Sequence, residues 1–435
     1  MFLYEIGIRL FVLGVRVAAF FNPKAKKWVD GRCNWWENYR LALAQKTENQ
    51  QSATNNQQPT LWLHAASLGE FEQGRPIIEA FREQFPGWKI VLTFFSPSGY
   101  EIRKNYPHAD FIFYLPADTR RNARDFLDLI KPDAAIFVKY EFWANHLFEL
   151  KKRGVPTLLV SAFFREKQPF FQWWGGFWRN MLGCFTHVFV QNQESAKLLQ
   201  SIDFQNLTIA GDTRVDRVLN IAEGAKENEI VAAFQKSSSE NALCDLLIAG
   251  STWPPDESLI AEALRRSATD AMKIVFAPHD PAPKSVSHLL TLLPDDEFGA
   301  SLPYSQAMPD TARQAFCLII DNVGMLNTLY RYGKIAYIGG GFGKGIHNTL
   351  EPAAFGLPVI FGPKYEKFEE ARQFVARGGA FPVKNSEELA AVLQKLQDPA
   401  LYEKASQAVR GYLEESKGAT ERILSFLKQI LNEKP

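Results

Sequence analysis

Short apolar runs, rich in β-branched and aromatic residues, recur along the chain and predict β-strands. The segments between them place apolar residues at helical spacing. This alternation predicts βαβ units around a parallel sheet. In the first half the predicted strands are Leu61–Ala65, Ile90–Phe94, Phe111–Tyr114, Ala134–Val138, Thr157–Ser161, His187–Val190 and Leu207–Ala210, and the predicted helices include Pro76–Gln84, Thr119–Ile130 and Asn145–Arg153.

A second series of the same kind follows a polar, helical stretch near Asp216–Lys236. Its strands are predicted at Leu246–Ala249, Lys273–Ala277, Phe316–Ile320, Lys334–Ile338 and Pro358–Phe361. Two such series predict an α/β protein of two doubly wound, Rossmann-like domains, 23–220 and 221–435, because single cores rarely grow past about 250–300 residues. Two closing helices that serve as packing elements are predicted at 387–398 and 400–432. A polar linker is predicted at 46–59 and a surface loop at 236–241.

Residues Phe2–Phe21 are almost all apolar, interrupted by Glu5, Arg9 and Arg16. At 100° per residue these three lie within about 40° of one another, so a helix here carries one narrow charged stripe. Residues 1–40 hold seven Lys or Arg against three Asp or Glu, a net charge of +4 in a chain whose total is +1. We expect residues 1–22 to be an amphipathic anchor on an anionic, cytoplasmic membrane surface. The alternatives are a helix packed on the protein's own core and, less favoured because of its central charges, a spanning helix.

Aromatic residues are abundant, with 34 Phe and 10 Trp. One run from Phe170 to Arg179 is especially rich in them, and it predicts either a second membrane-facing element or a core helix.

Composition excludes several classes of protein. With 46% hydrophobic and 22% charged residues the chain has ample material for globular cores, and its net charge of +1 argues against a nucleic-acid-binding protein. The four cysteines are far apart and show no metal-ligand spacing, which is typical of buried thiols in a reducing compartment.

The most informative motif is the glycine-rich run from Gly339 to Gly345, which follows the apolar strand Ile335–Ile338. Glycines let backbone approach a ligand closely, and N–H groups at a helix start attract anions. Because His347, Asn348 and Glu351 follow directly, the run predicts a site for a phosphorylated nucleotide. The alternative is an ordinary tight turn between strand and helix.

Candidate catalytic residues also follow predicted strands. Glu70 lies in His-Ala-Ala-Ser-Leu-Gly-Glu after the first strand, where a general base is expected, although Ser67 and Glu70 also match a capping box. Glu141 follows Ala134–Val138, and its alternative role is that of a solvated Glu at a helix start. Arg214, near the domain boundary, could clamp a phosphate or lie on the surface.

Three further loops of the second domain end strands on the same edge as the glycine run. They are Gly250–Trp253, Ala277–Pro281 with His279, and Asp321–Met325. Because ligands of doubly wound sheets bind outside the carboxyl ends of the strands, these loops are predicted to contribute to the same nucleotide site.

With these motifs the chain resembles the 3-deoxy-D-manno-octulosonic acid (Kdo) transferases of lipopolysaccharide synthesis. The resemblance extends from the N-terminus to about residue 380, and its most specific motifs are 64–70 and 339–363. It implies an inverting glycosyltransferase of the GT-B fold, with two doubly wound Rossmann-like domains facing a cleft and an N-terminal membrane-associated helix.

The resemblance also implies residue roles. Glu70 would be the general base, with Glu141 and Arg214 supporting the transition state. The residues implied to bind the cytidine monophosphate (CMP) part of the donor are Pro278, His279, Val323, Gly324, Met325, Asn348, Thr349, Leu350 and Glu351. The chain departs from the family pattern at His279, where Arg is common, at Arg214, where Lys is common, and before Glu141, where Lys139 and Tyr140 replace an acidic-Thr pair.

The implied partners are CMP-Kdo as donor, a lipid A precursor (lipid IVA) as acceptor and the cytoplasmic side of the cell inner membrane. No cofactor is expected, and no DxD-like metal motif is present, so metal-independent turnover is predicted. The alternative enzyme is another GT-B transferase or epimerase using a uridine sugar nucleotide, and the alternative of another class is an inactive membrane scaffold.

Overall fold

The computed structural model of the chain describes residues 1–48, 58–236, 243–266 and 272–432. Two compact units are present: Met1–Asp216 with Lys417–Pro435, and Arg217–Ser416. Most of the predicted linker at 46–59, and the predicted surface loop beyond Lys236, lie outside the described residues.

The first unit is built on a seven-stranded parallel sheet of order β3-β2-β1-β4-β5-β6-β7. Every predicted strand of the first series is confirmed to within two residues. The strands are β1 (Thr60–Ala65), β2 (Lys89–Phe94), β3 (Phe111–Tyr114), β4 (Ala134–Val138), β5 (Thr157–Ala162), β6 (His187–Val190) and β7 (Leu207–Ile209).

Helices cover both faces of this sheet, as a parallel sheet requires. In α6 the apolar residues Ala123, Phe126, Leu127 and Ile130 are buried at helical spacing, and the Thr119 hydroxyl caps its first turn by accepting from Asn122 N–H at 3.2 Å. The helices before the boundary are α1 (Phe2–Ala18), α2 (Pro23–Asp30), α3 (Trp35–Glu48), α4 (Leu68–Gln84), α5 (Pro97–Arg103), α6 (Arg120–Ile130), α7 (Ala144–Lys152), α8 (Gly176–Leu182) and α9 (Gln193–Gln200), and α10 (Thr213–Glu223) runs across it.

The second unit has its own seven-stranded parallel sheet, of order β10-β11-β9-β8-β12-β13-β14. The five predicted strands are confirmed, and two three-residue edge strands, β10 and β14, were not predicted. The strands are β8 (Asp245–Thr252), β9 (Met272–Pro278), β10 (Ser301–Pro303), β11 (Cys317–Ile319), β12 (Ile335–Ile338), β13 (Val359–Phe361) and β14 (Ala380–Pro382). The helices are α11 (Glu229–Phe234), α12 (Pro254–Arg266), α13 (Pro283–Leu292), α14 (Asp295–Phe298), α15 (Pro309–Gln314), α16 (Leu326–Leu329), α17 (Leu350–Ala354), α18 (Glu369–Arg377), α19 (Ser386–Lys395) and α20 (Pro399–Ser416).

The C-terminal end differs from the predicted domain division. The predicted closing helix 400–432 is broken at Gly418, whose φ is +82°, into α20 and a last helix, α21 (Ala419–Asn432). The α21 residues Ile423, Leu424 and Leu427 belong to the core of the first unit. The prediction that they belong to the second domain, 221–435, is therefore wrong. The Asp216 carboxylate fixes this return by accepting from the N–H groups of Gly418 and Thr420 at 2.6 and 2.7 Å.

The N-terminal helix α1 is attached to the first unit through polar side chains. The Tyr4 hydroxyl donates to the buried Asp118 carboxylate at 2.6 Å, and Asn145 donates to Glu5 at 3.2 Å. Tyr4 also packs against Phe177, with ring centroids 5.6 Å apart. The alternative of a helix packed on the protein is therefore correct for one side of α1, although none of its residues is fully buried.

The opposite side of α1 is apolar and exposed. Large side chains such as Leu3 and Leu10 are 82% and 62% exposed, and Phe20 and Phe21 after the helix are more than four-fifths exposed. None of the helices in the described ranges combines the length and the apolar character needed to cross a bilayer.

The aromatic run 170–179 divides between its two predicted environments. Phe170 is buried in the core, whereas Trp173 and Trp174 are 91% and 53% exposed in the turn before α8. Among the cysteines, Cys184 and Cys317 are buried as predicted, but Cys33 is exposed.

Candidate active site

In the first unit the candidate carboxylates follow two adjacent strands. Glu70 lies in the first turn of α4, directly after β1, and Glu141 lies in the loop after β4, the neighbour of β1 in the sheet. Because both strands are parallel, the two side chains lie at the same edge of this sheet.

Glu70 does not form the capping box that was the alternative to a catalytic role. Ser67 is the N-cap of α4, but its side chain accepts no backbone N–H. Its hydroxyl instead donates to Oε2 of Glu70. Among the described residues this is the one hydrogen bond of the Glu70 carboxylate, so its other oxygen can accept a proton from a ligand.

Glu141 is not a solvated helix-start residue. It is 8% exposed and precedes α7, whose N-cap is Trp143. Its Oε2 accepts from Trp143 Nε1 at 2.7 Å and lies 3.1 Å from Nε2 of the fully buried His64. Both partners fix the position of the carboxylate.

The His64 ring is held by a hydroxyl on its other side. Its Nδ1 lies 2.8 Å from Oγ1 of Thr93, which also accepts from Trp62 Nε1 at 2.8 Å. An indole N–H can only donate, so the Thr93 hydroxyl proton is available to His64 Nδ1. We assign the Nε2–H tautomer, in which Nε2 donates to Glu141, because this assignment satisfies every group in the chain.

Arg214 is held by the carboxylate next to it in sequence. Its Nε lies 3.1 and 3.0 Å from the two carboxylate oxygens of Asp212, and its Nη2 lies 2.6 Å from Oδ2. Asp212 is buried; burial alone would raise its pKa, but Arg214 and Lys139 lower it below its usual value. The guanidinium is thus fixed in direction by a carboxylate that stays ionised.

Hydrogen bonds tie Thr213, the residue before Arg214, to α4, which carries Glu70, and to the end of β5. The hydroxyl of Thr213 donates to the Gln73 carbonyl on α4 and lies 3.1 Å from the Ser161 hydroxyl at the end of β5. Ser161 and Lys139 both have positive φ, +52° and +69°, at the carboxyl ends of β5 and β4. Non-glycine residues in this conformation are costly and concentrate at functional sites.

An aromatic cavity of about 300 Å³ opens beside Glu141. Its lining includes Tyr140, Trp143 and Trp178, and a carboxylate among rings is a suitable site for a sugar, whose ring has apolar faces and polar edges.

In the second unit the glycine run is packed backbone to backbone. A Cβ on Gly339 would lie 2.2 Å from the Ser251 carbonyl oxygen, and one on Gly341 would lie 2.6 Å from Gly362. Only glycine fits at these two positions, so the sequence brings the loop after β12 against the end of β8.

Asp256, which the sequence analysis did not single out, holds this loop. Its Oδ2 accepts from the N–H groups of Gly340 and Trp253 at 2.9 and 3.0 Å, and its Oδ1 accepts from the Tyr337 hydroxyl at 3.0 Å. Burial raises the pKa of Asp256 above its usual value although these donors lower it.

Three rings are stacked at the same edge. Trp253 and His279 have centroids 4.5 Å apart, and His279 and His347 have centroids 4.6 Å apart. Trp253 Nε1 donates to His347 Nε2 at 3.2 Å, which requires that nitrogen to be unprotonated. Burial and the charge of His279 lower the pKa of His347 below its usual value.

The helix after the glycine run is short. Helix α17 has five residues, and Asn348 joins its start by accepting from Leu350 N–H at 3.1 Å and donating to Glu351 at 2.9 Å. The side chains of Thr349 and Leu350 are fully buried, so they can reach a ligand only through the backbone.

The other predicted nucleotide contacts lie on neighbouring strands. Pro278 is buried at the end of β9, and His279 N–H donates to the Thr252 carbonyl at 2.9 Å. Val323 is 87% exposed and Gly324 has a φ of +99°, in the loop after β11 that ends at Met325, the N-cap of α16. The structure therefore brings all the predicted donor-binding segments to one edge of the second sheet.

The sequence analysis missed the roles of His64, Thr93, Trp253 and Asp256, although His64 and Trp253 stood inside motifs that it quoted. For Asp256 the available signal was an acidic residue in the first turn of a helix, three residues after Trp253. Within the described ranges no group of three or more His, Cys, Asp or Glu side chains is arranged to hold a metal ion.

Comparison with known proteins gives consistent results. Residues 35–217 match the family model described as 3-deoxy-D-manno-octulosonic-acid transferase (kdotransferase). The 3-deoxy-D-manno-octulosonic acid transferase of Aquifex aeolicus is 26% identical over 364 residues, which are 81% of this chain and 92% of the relative. The enzyme of the same name from Haemophilus influenzae is 24% identical over 406 residues, 90% and 92% of the two chains.

Solved structures match the fold. UDP-GlcNAc 2-epimerase from Neisseria meningitidis covers 85% of this chain and all of its own, with a TM-score of 0.58 and 16% identity. MurG from Acinetobacter baumannii covers 85% of this chain and 99% of its own, with a TM-score of 0.55 and 13% identity. At these identities the likeness shows the fold alone, and with the two parallel sheets it gives the chain an α/β, GT-B architecture.

Proposed function

Because the chain is similar to 3-deoxy-D-manno-octulosonic acid (Kdo) transferases over most of its length, we propose that it belongs to their family and moves Kdo from CMP-Kdo to a lipid A precursor, lipid IVA. As a member of that family the chain is proposed to be a glycosyltransferase that transfers Kdo in lipopolysaccharide synthesis. The observation that carries the finer proposal is the match to these transferases over four-fifths or more of the chain.

In this proposal Glu70 is the general base. The acceptor hydroxyl becomes a good nucleophile only when its proton is removed in the transition state, which a positioned carboxylate accelerates by about 10²–10⁴-fold. The position of Glu70 at a strand's carboxyl end and its single hydrogen bond, from Ser67, support this role.

Glu141 and Arg214 support the transition state. The donor carbon gains positive character as CMP leaves, and the fixed Glu141 carboxylate is suited to stabilise it. The departing phosphate gains negative charge, for which Arg214, held by Asp212, supplies a fixed guanidinium.

The second unit binds CMP. The backbone of the glycine run and the start of α17 offer N–H groups to the phosphate, but a helix of five residues contributes little macrodipole. His279 and His347, whose rings are stacked at this edge, then contribute to recognition of the phosphate. The residues proposed to contact CMP are Pro278, His279, Val323, Gly324, Met325, Asn348, Thr349, Leu350 and Glu351.

Turnover is proposed to be metal-independent, and the protein to lie on the cytoplasmic face of the inner membrane, attached through α1. The exposed apolar side of α1 and the net charge of +4 in residues 1–40 support membrane attachment.

The test is incubation of the purified full chain with CMP-Kdo and a detergent-dispersed tetra-acylated glucosamine disaccharide, with products measured by mass spectrometry. The expected result is one or more Kdo mass increments, unchanged by EDTA, inhibited by CMP and not by UDP. Conversion only with a uridine sugar nucleotide would replace the proposal by the alternative GT-B enzyme, and loss of turnover in EDTA restored by Mg²⁺ would refute metal independence.

A further inference from the structure

A cavity of about 510 Å³ lies between α1, α2 and the segment that leads into α6, within the first unit. Three arginines, Arg9, Arg16 and Arg32, line it, and no acidic side chain does. The rest of its wall is mainly apolar, including Val12 and Leu13 of α1. None of the candidate catalytic residues Glu70, Glu141 and Arg214 lines this cavity.

Arg32 forms the inner wall, with a guanidinium that has only uncharged partners. It donates to the carbonyls of Leu115, Phe95 and Trp28 at 2.8, 2.8 and 3.1 Å, and it lies 4.0 Å from the centre of the Trp28 ring. Within the described residues no carboxylate forms an ion pair with it.

The absence of a counter-ion has an electrostatic consequence. Burial lowers the pKa of Arg32 to about 9. The guanidinium is still charged at neutral pH, so a partly buried positive charge remains uncompensated, and an anion in the cavity would restore the lost solvation.

Arg9 and Arg16 come from the charged stripe of α1, which borders the cavity. Arg9 is paired with Glu5 at 3.3 Å, but Glu5 itself is turned toward Asn145 of the protein. Both arginines line the same cavity as Arg32, so an anion there would lie among three positive charges.

The stripe adjoins the exposed apolar side of α1, formed by Phe2, Leu3, Ile6, Leu10, Leu13 and Val17. Contiguous apolar surface of this kind is unusual on a soluble protein and marks an interaction site. An inorganic anion would satisfy the arginines and leave this surface in water, whereas a lipid satisfies both.

We propose that the cavity holds the phosphate group of an anionic glycerophospholipid, whose acyl chains lie along the exposed apolar side of α1. This rests on, and refines, the proposed attachment to the membrane surface. It makes attachment depend on one site and not on diffuse attraction between a basic segment and an anionic surface.

Vesicle binding of the full chain tests the proposal. The double variant Arg9→Gln/Arg16→Gln removes two charges from the cavity, and Lys26→Gln/Lys27→Gln removes two from exposed positions on the adjacent helix α2. Diffuse attraction predicts the same loss for both, about 30-fold. A built site predicts that binding to vesicles with phosphatidylglycerol falls at least about tenfold further in the arginine variant. Equal losses of vesicle affinity in the two double variants would contradict a lipid site in the cavity.

The exposed Cys33 in the cavity wall provides a local readout. Short-chain phosphatidylglycerol is expected to slow alkylation of Cys33, located by mass spectrometry, and short-chain phosphatidylcholine or inorganic phosphate at equal concentration is not. Equal protection by inorganic phosphate would show that the site binds free phosphate and would contradict the proposal that it binds a lipid.

Transfer to a detergent-dispersed acceptor is expected to stay at the wild-type rate in both double variants. If the wild-type chain binds no vesicle at all, the membrane proposal and this one fail together. If the wild-type chain binds vesicles but the two variants lose affinity equally, only the proposal of a lipid site in the cavity fails.

Discussion

Glu141 shows how a buried carboxylate is kept in one place. Leaving such a group without donors costs several kcal/mol, and here Trp143 and His64 both donate to it. The chain of contacts continues through His64 to Thr93 and Trp62, residues of β1 and the adjacent β2. The sheet register thus fixes the direction of the carboxylate.

Replacing Thr93 by Val tests this arrangement, with Thr93→Ser as the matched control that keeps the hydroxyl. Val leaves the Trp62 N–H and His64 Nδ1 without their partner, so we expect a loss of about 1–3 kcal/mol in the free energy of unfolding. The transfer rate should also fall, with little change in KM for CMP-Kdo. If Ser is as damaging as Val, the hydroxyl is not what positions Glu141.

His347 predicts a pH dependence of stability. Its pKa is lowered from a usual value of 6.5, so below that pH the unfolded chain binds a proton that the folded chain does not. The free energy of unfolding should therefore fall as the pH falls from about 6.5 toward and past the lowered pKa, by at most about 1.4 kcal/mol per pH unit from this group.

Urea unfolding at pH 7.5 and 5.5 measures this effect. The wild type is expected to lose more stability between the two pH values than His347→Asn, because Asn does not titrate. The same pH slope in both proteins would show that His347 keeps an ordinary pKa.

At the scale of the elements, the conformation of the glycine run is set by close contact with the backbone of neighbouring segments. The loop after β12 needs glycine where it meets the backbone at the end of β8, and Asp256 fixes it from the start of α12. A substitution at a tightly packed glycine can therefore be compared with the same substitution at a loosely packed glycine of this loop.

Gly339→Ala should be strongly damaging and Gly343→Ala should not. At Gly339 a Cβ would lie 2.2 Å from a carbonyl oxygen, whereas at Gly343 the nearest atom is 3.5 Å away. We expect Gly339→Ala to cost about 1–3 kcal/mol or more and to weaken CMP binding, measured by calorimetry. Equal CMP affinity in the two variants would contradict the role of this close packing.

The strands could be predicted because each is a buried apolar run that is visible in any short window of sequence. Glu70 and Glu141 could be placed at strand ends for the same reason. The contact of His64 with Glu141 and that of Asp256 with the glycine run could not, because they join positions far apart: His64 is 77 residues from Glu141, and Asp256 is 84 residues from Gly340. No local pattern encodes such a contact.

At the scale of the whole molecule, the chain leaves the first unit after Asp216 and returns to it at Lys417. The apolar spacing of α21 predicts a helix but does not say which core it joins. Likewise, the apolar stretch of α1 predicts a helix, but only the contacts of Tyr4 and Glu5 show which side is attached to the protein. The side left exposed is the one to which we assign the proposed membrane attachment.

The most direct test of the account is Kdo transfer from CMP-Kdo to lipid IVA by the wild type and Glu70→Gln. Glu72→Gln, the same change two residues further along α4, serves as the control. We predict Kdo mass increments with the wild type and the control, and a rate about 10²–10⁴-fold lower with Glu70→Gln at unchanged CMP affinity and unfolding midpoint. A Glu70→Gln rate within tenfold of wild type would contradict the general-base role, and no Kdo transfer by any of the three would contradict the proposed reaction.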